Sequence, residues 1–204
     1  MANLNMPFGA RPIGHLDNTG YIQTNLYYVP SSDTSAYYIN DMVISAAGAD
    51  VNGVPQIAKL STGTETPLGI VVGILPIYPG ATLVGSNLNL ERLSTPSTGK
   101  AHDYYLLVAD SPDLVFEMQA DSAATNLVAA KAGYNASITV AVPSPATHPI
   151  SASVIGGATL VTTNTLNIKL MGLVRNPVNT FGAYAVYRCM FNLHERSNAG
   201  TTAI

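Results

Sequence analysis

Short apolar stretches broken at close intervals by turn residues dominate the chain from residue 21 onward. Tyr27-Tyr28-Val29 and Tyr37-Tyr38-Ile39 are aromatic and β-branched runs on either side of the polar Pro30-Ser31-Ser32-Asp33, and residues 41–44 prolong the second run before Gly48. Such runs suit a pleated, half-buried surface, so both predict strands. A further strand is expected over 56–60, after the Asn52-Gly53 turn signal. Leu68 to Leu75 (LGIVVGIL) is apolar without interruption and of strand length, which predicts a core strand. Gly69 and Gly73 would weaken a helix there and in a strand allow bends or close backbone approach. Residues 104–109 (YYLLVA) and 114–118 (LVFEM), joined by Asp110-Ser111-Pro112-Asp113, read as the clearest hairpin. Short strands are also expected over 137–142, 158–162, 166–173 and 183–193. A segment over 81–85 precedes an exposed polar loop at 94–100.

One helix is expected, over 122–132 (SAATNLVAAKA), with Asp121 or Ser122 at its start and Gly133 at its end. At three turns it needs packing to persist. The many short strands predict an all-β fold, an antiparallel jelly-roll-like sandwich or barrel with at most that one short helix. The three prolines of 143–149 mark a possible internal break, and the small polar tail 197–204 is expected to be flexible.

Residues 1–20 follow neither period. Pro7, Gly9, Pro12, Gly14 and Gly20 interrupt isolated apolar residues, which excludes a helix and a central strand and predicts an extended N-terminal arm ahead of a β domain over 21–196. An arm carrying Leu4, Met6, Phe8 and Ile13 gains little in water. It is expected to lie on a surface, either its own domain or a neighbouring subunit, with Arg11 beside it.

Composition narrows the partners. Hydrophobic residues make up 47% of the 204 and charged residues 10%, against a usual charged share of about 25%, so the chain is expected to fold rather than stay disordered. Its surface must consist largely of neutral polar and small residues, which cost little to desolvate and so suit broad, lasting contact between subunits. A net charge of −3, with nine scattered Lys and Arg, argues against nucleic acid. No stretch reaches the length of a spanning helix, and the N-terminus lacks the basic-then-apolar pattern of a signal peptide, so neither membrane nor export is expected.

The catalytic inventory is thin. Gly69-Ile70-Val71-Val72-Gly73 lacks the Lys-Ser/Thr of a phosphate loop, and no nucleophile elbow occurs. His15, His102, His148 and His194 show no metal-ligand spacing, and a solvated histidine is the default for those in loops. The carboxylates, Glu91 and Glu195 among them, suggest neither a glycosidase pair nor a calcium loop, while Asp110 and Asp113 are expected to cap turn amides. Cys189, alone in an apolar run, reads as a small buried hydrophobe. No catalytic residue, cofactor or metal is therefore expected. In the Tyr pairs 27–28, 37–38 and 104–105 one ring is expected to fill the core and the other to anchor an interface.

The order of several motifs resembles the capsid decoration (cement) proteins of tailed bacteriophages. They are MANLNMPFGARP at 1–12, then Tyr27-Tyr28-Val29, the Tyr38-Ile39-Asn40-Asp41-Met42-Val43 step, and Gly69-Ile70-Val71-Val72-Gly73. Val108-Ala109-Asp110-Ser111-Pro112-Asp113 leading into Val115 to Ala120 is the most characteristic, and Leu170-Met171-Gly172-Leu173 and Phe191-Asn192-Leu193-His194 follow. Asn40 departs from the pattern, where a glycine is usual. The resemblance implies a non-enzymatic β-rich virion protein, made in the host cytoplasm and bound to the outer capsid surface. Its partners would be the major capsid protein and copies of itself, with a homotrimer favoured over a homodimer. Leu4, Met6, Phe8, Arg11 and Ile13 are the candidate contact residues. A virion module that binds host glycan or receptor is the alternative.

Overall fold

The turn at Asn52-Gly53 forms as its sequence demands. Gly53 takes a φ of 81° and donates to Asp50 O, while the Asp50 carboxylate accepts the amides of Asn52 and Val54. This closes an antiparallel pair in a computed structural model that describes residues 3–75, 94–97, 100–124, 127–144 and 150–197. Eleven strands occur among them: β1 (Arg11–His15), β2 (Asn25–Val29), β3 (Met42–Ala49), β4 (Pro55–Lys59), β5 (Gly69–Leu75), β6 (Tyr104–Ala109), β7 (Leu114–Gln119), β8 (Asn135–Thr139), β9 (Val154–Val161), β10 (Ile168–Leu173) and β11 (Val186–Phe191). The expectations for 81–85, Glu91, His148 and the tail beyond Ser197 lie outside the described residues.

The all-β class is realised in two sheets. Strands β2-β4-β3-β5-β6 close into a barrel in which β2 and β4 run parallel and every other pair is antiparallel. Strands β1-β7-β11-β10-β8-β9 form an open antiparallel sheet. Tyr27, Val29, Val43, Ile57, Ile74, Tyr104 and Leu106 fill the barrel. A second core joins Phe116, Met118, Ile168, Leu170 and Phe191 of the open sheet to Met42, Leu60, Ile70 and Ala109, which point out of the barrel. The sheet therefore packs against the barrel's outer wall.

The position of β5 explains its composition. Ile70 faces the sheet and Val71 and Ile74 face the barrel interior, so both faces are buried and the run is apolar throughout. A Cβ at Gly69 would lie 2.5 Å from Ala109 O, and the register shifts between Val71 and Gly73. Both expected uses of glycine, close approach and a bend, are present.

Several expectations need correction. Strands β6 and β7 do not form a hairpin: β6 pairs with β2 and β5 in the barrel, β7 with β1 and β11 in the sheet, and Asp110–Asp113 is a crossover between them. Asp110 does not cap the turn; its carboxylate binds the side chains of Asn25, Tyr27 and Arg196, and Leu114 N closes the turn on Ser111 O. The described residues over 122–132 hold no α-helix, only 3-10 geometry at Ala124 and a 3-10 turn at Ala129–Lys131. Ala124 packs closely against Gly157, where a Cβ would come within 2.3 Å of Ala124 Cα. Tyr38 and Ile39 make single bridges, to Ser94 and Ile150, instead of a strand.

Within 1–20, Arg11–His15 is strand β1, at the edge of the open sheet, where Pro12 leaves no central ladder bond unmade. The expected arm is thus part of the sheet from Arg11 to His15.

Candidate interaction surface

Asn40 anchors the N-terminal segment. Its φ of 70° is a left-handed conformation that glycine or asparagine adopts most readily, which gives a physical reason for a glycine-like position there. Held so, its side-chain amide donates to Phe8 O at 2.8 Å and its carbonyl accepts Ala10 N at 3.0 Å. Gly9, at φ 69°, leaves no space for a side chain: a Cβ would meet Ser151 Cβ at 2.5 Å. Further toward the N-terminus, Met6 N donates to the buried Gln119 side chain, whose amide donates in turn to Leu4 O and Tyr184 O. Asn3 reaches Thr180 O and Ala183 O. The backbone of the segment is thereby satisfied by its own domain.

Its side chains are not. Leu4 is 70% exposed and Met6 64%. Met6, Pro7 and Phe8 form one wall of an apolar groove of about 570 Å³, and Pro143, Ile150, Ala152 and Val186 form the other. Arg11 sits at the rim, its guanidinium 4.9 Å from the Phe8 ring centre and 2.5 Å from the Glu117 carboxylate. Of the five candidate contact residues, Met6, Phe8 and Arg11 line this groove, whereas Leu4 lies just before it and Ile13, 36% exposed, projects from β1 outside the lining. Ile150, Ala152 and Val186 carry no signal in the sequence that marks them as lining residues. They reach the groove because Ile39 bridges to Ile150, and Val186, the first residue of β11, pairs with Gln119.

The tyrosine pairs behave differently from expectation. Tyr27, Tyr37 and Tyr104 fill the barrel, but their outward neighbours are covered as well. Tyr28 and Tyr105 lie 5.8 Å apart and donate to Asp103 and Asp50, and Tyr38 sits under Lys59. These contacts tie the rings to their own domain, with Tyr28 half-buried.

The charged groups follow the same rule. Asp41 is buried against Lys59, whose ammonium lies 2.7 Å from Oδ2. Burial pushes the Asp41 carboxyl above its ordinary value, against the pull of Lys59. His194, expected as a loop histidine, is buried beside Phe191, and burial holds its pKa below the usual histidine value. Cys189 is fully buried as expected, its thiol pushed up by desolvation and thus unreactive. Among the described residues no three His, Cys, Asp or Glu side chains gather as a metal site. The arrangement at the groove is suited to binding an apolar surface, because it offers hydrophobic contact with one screened cation at its rim.

No family model matches the chain, and no curated protein or solved structure matches it.

Proposed function

We propose that this chain is a structural, non-enzymatic virion protein that binds the outer surface of a tailed-phage capsid and stabilises contacts between major capsid protein subunits. The observation that carries the reading is the N-terminal segment: its backbone is fixed by its own domain while Leu4 and Met6 stand in water beside an apolar groove. Ordering such a segment before binding lowers the entropy lost when a partner docks. A chain with only 10% charged residues supports broad contact, since few ions must be desolvated. The ordered motifs supply the capsid as partner. Any binding to the assembled shell and not to its dissociated subunits adds to shell stability by mass action.

Deleting residues 1–20 is a poor test, because it removes an edge strand. Leu4→Asp and Met6→Asp change exposed side chains only, and they place a charge where an apolar partner is expected. Capsids lacking this protein, mixed with each variant and sedimented, are expected to bind the wild-type chain and to lose most occupancy with Met6→Asp at unchanged melting temperature. Equal occupancy for wild type and both variants would remove the N-terminal face from the account.

A further inference from the structure

Two connections join the barrel to the open sheet, and they run side by side. Strand β1 pairs with β7 through His15 and Leu114, and β2 pairs with β6 through Asn25 and Val108. The chain therefore crosses from sheet to barrel over residues 16–24 and returns over 110–113, nine residues beside four. The shorter crossing is taut. The longer one must bow outward, and between them opens a two-lobed crevice whose lobes measure about 410 and 470 Å³ and share Tyr21, Gln23 and Ser111. Both lobes fall in the range of small-ligand sites.

The crevice has a fixed frame. Leu16 N bonds Asp113 O, His15 N bonds Thr19 O, and the Asp17 carboxylate accepts the amide and hydroxyl of Thr19, with Asn18 in a left-handed turn at φ 65°. Its floor is Asp110, held by Asn25, Tyr27 and the Arg196 guanidinium at 2.8 Å. On this frame stands Tyr21, 76% exposed, and among the described residues no other tyrosine is classed as exposed. The side chains of Gln23, Ser111 and Asp113 around it make no hydrogen bond to the described residues.

We infer that this crevice binds a neutral saccharide, with Tyr21 as the stacking platform. A pyranose presents an apolar C–H face and a rim of hydroxyls. The Tyr21 ring matches the first, while the amide of Gln23, the hydroxyl of Ser111 and the carboxylate of Asp113 are free to pair with the second. Charge argues for a neutral ligand. Each terminal nitrogen of Arg196 already has a partner, Nη1 on Asp110 and Nη2 on the Tyr27 hydroxyl, and Asp17 and Asp113 would repel an anionic sugar. The site stands on its own geometry, and its test uses the isolated protein.

An array of short neutral α-glucan, β-glucan, mannan and galactan oligomers, with sialylated and uronic-acid oligomers beside them, tests it. At least one neutral oligomer is expected to bind. Tyr21→Ala should weaken that binding at least about tenfold, Tyr21→Trp should retain it, and Met6→Asp should leave it unchanged. The melting temperature of Tyr21→Ala should match wild type, because the ring buries little. No neutral oligomer bound at millimolar concentration, preference for the acidic oligomers, or binding indifferent to Tyr21→Ala would each overturn the inference.

Discussion

Replacing Lys59 with methionine keeps the aliphatic stem but strands the Asp41 carboxylate in the seam between barrel and sheet. The carboxylate side chain is 1% exposed and the lysine 12%, so solvent screens the pair little. Its surroundings, Met42, Leu60, Met118, Ile138 and Val140, offer no replacement cation. What remains for the carboxylate is the Tyr38 amide, 3.0 Å from Oδ2, and the Ser151 hydroxyl, with no second cation. Removing one member of a buried ion pair costs about 3–5 kcal/mol, chiefly because the other charge is left uncompensated. For a chain of this size that loss lowers the melting temperature by roughly 6–20 °C.

The pH dependence supplies a sharper test. Burial raises the Asp41 pKa from 3.8 even with Lys59 opposing it, and without the lysine it climbs further. The folded state then holds this proton more tightly than the unfolded chain does. Its contribution to stability is largest in acid, below the unfolded value, and is lost as pH rises through the folded value. The deficit of Lys59→Met is therefore expected to be greatest near neutral pH and to narrow on acidification, and Asp41→Asn added to it should recover part of the loss. Urea titrations of wild type, single and double variants at several pH values measure this. A deficit under about 1 kcal/mol, or one that widens in acid, would refute the reasoning that this pair is buried at a shared seam.

Gly157→Ala should unfold or severely destabilise the protein, by about 3 kcal/mol or more, because the new methyl would meet Ala124 Cα at 2.3 Å; thermal melts check it. Cys189 should react with a thiol reagent only as fast as the chain unfolds, since the residue is fully buried and its thiol is held protonated; labelling in native buffer and in denaturant separates the two cases. The carboxylate of Glu65 is pushed up by burial, yet the amides of Ser61 and Thr62 and the Ser61 hydroxyl outweigh this and hold it below 4.5. Its stabilisation is present above that value and lost as pH falls through the folded pKa, so Glu65→Gln should cost about 1 kcal/mol at neutral pH and nearly nothing in strong acid, as measured by urea titration.

Much of the strand content was legible because alternation and apolar runs are local signals. Residues 104–109 and the double-faced run at β5 could be read directly. Pairing could not. Asp110-Ser111-Pro112-Asp113 has the composition of a reversing turn, and nothing nearby reveals that Asn25 and Arg196 will hold Asp110 at a crossover instead. The helix over 122–132 failed for a related reason: an alanine-rich segment forms a helix only when packing supports it, and here Ala124 is held close against Gly157 of a distant strand. The same limit applies to the surface. Met6, Phe8 and Arg11 stood out as apolar or charged residues in an irregular segment, whereas the opposite wall at Ile150, Ala152 and Val186 comes from distant strands. Tyr21 carries no local signal, because a single tyrosine in an irregular segment looks like any other, whereas the paired rings of Tyr28 and Tyr105 meet at a tilt and donate to carboxylates.

The proposed reinforcement of a capsid from outside is tested most directly by a density map of tailed-phage virions assembled in cells that express this chain. The account predicts copies of the barrel-and-sheet body at symmetry-related sites on the outer shell, with Leu4, Met6 and the groove beside Phe8 against a neighbouring subunit. Virions in which this chain is missing, or lies inside the shell or in the tail, would contradict it.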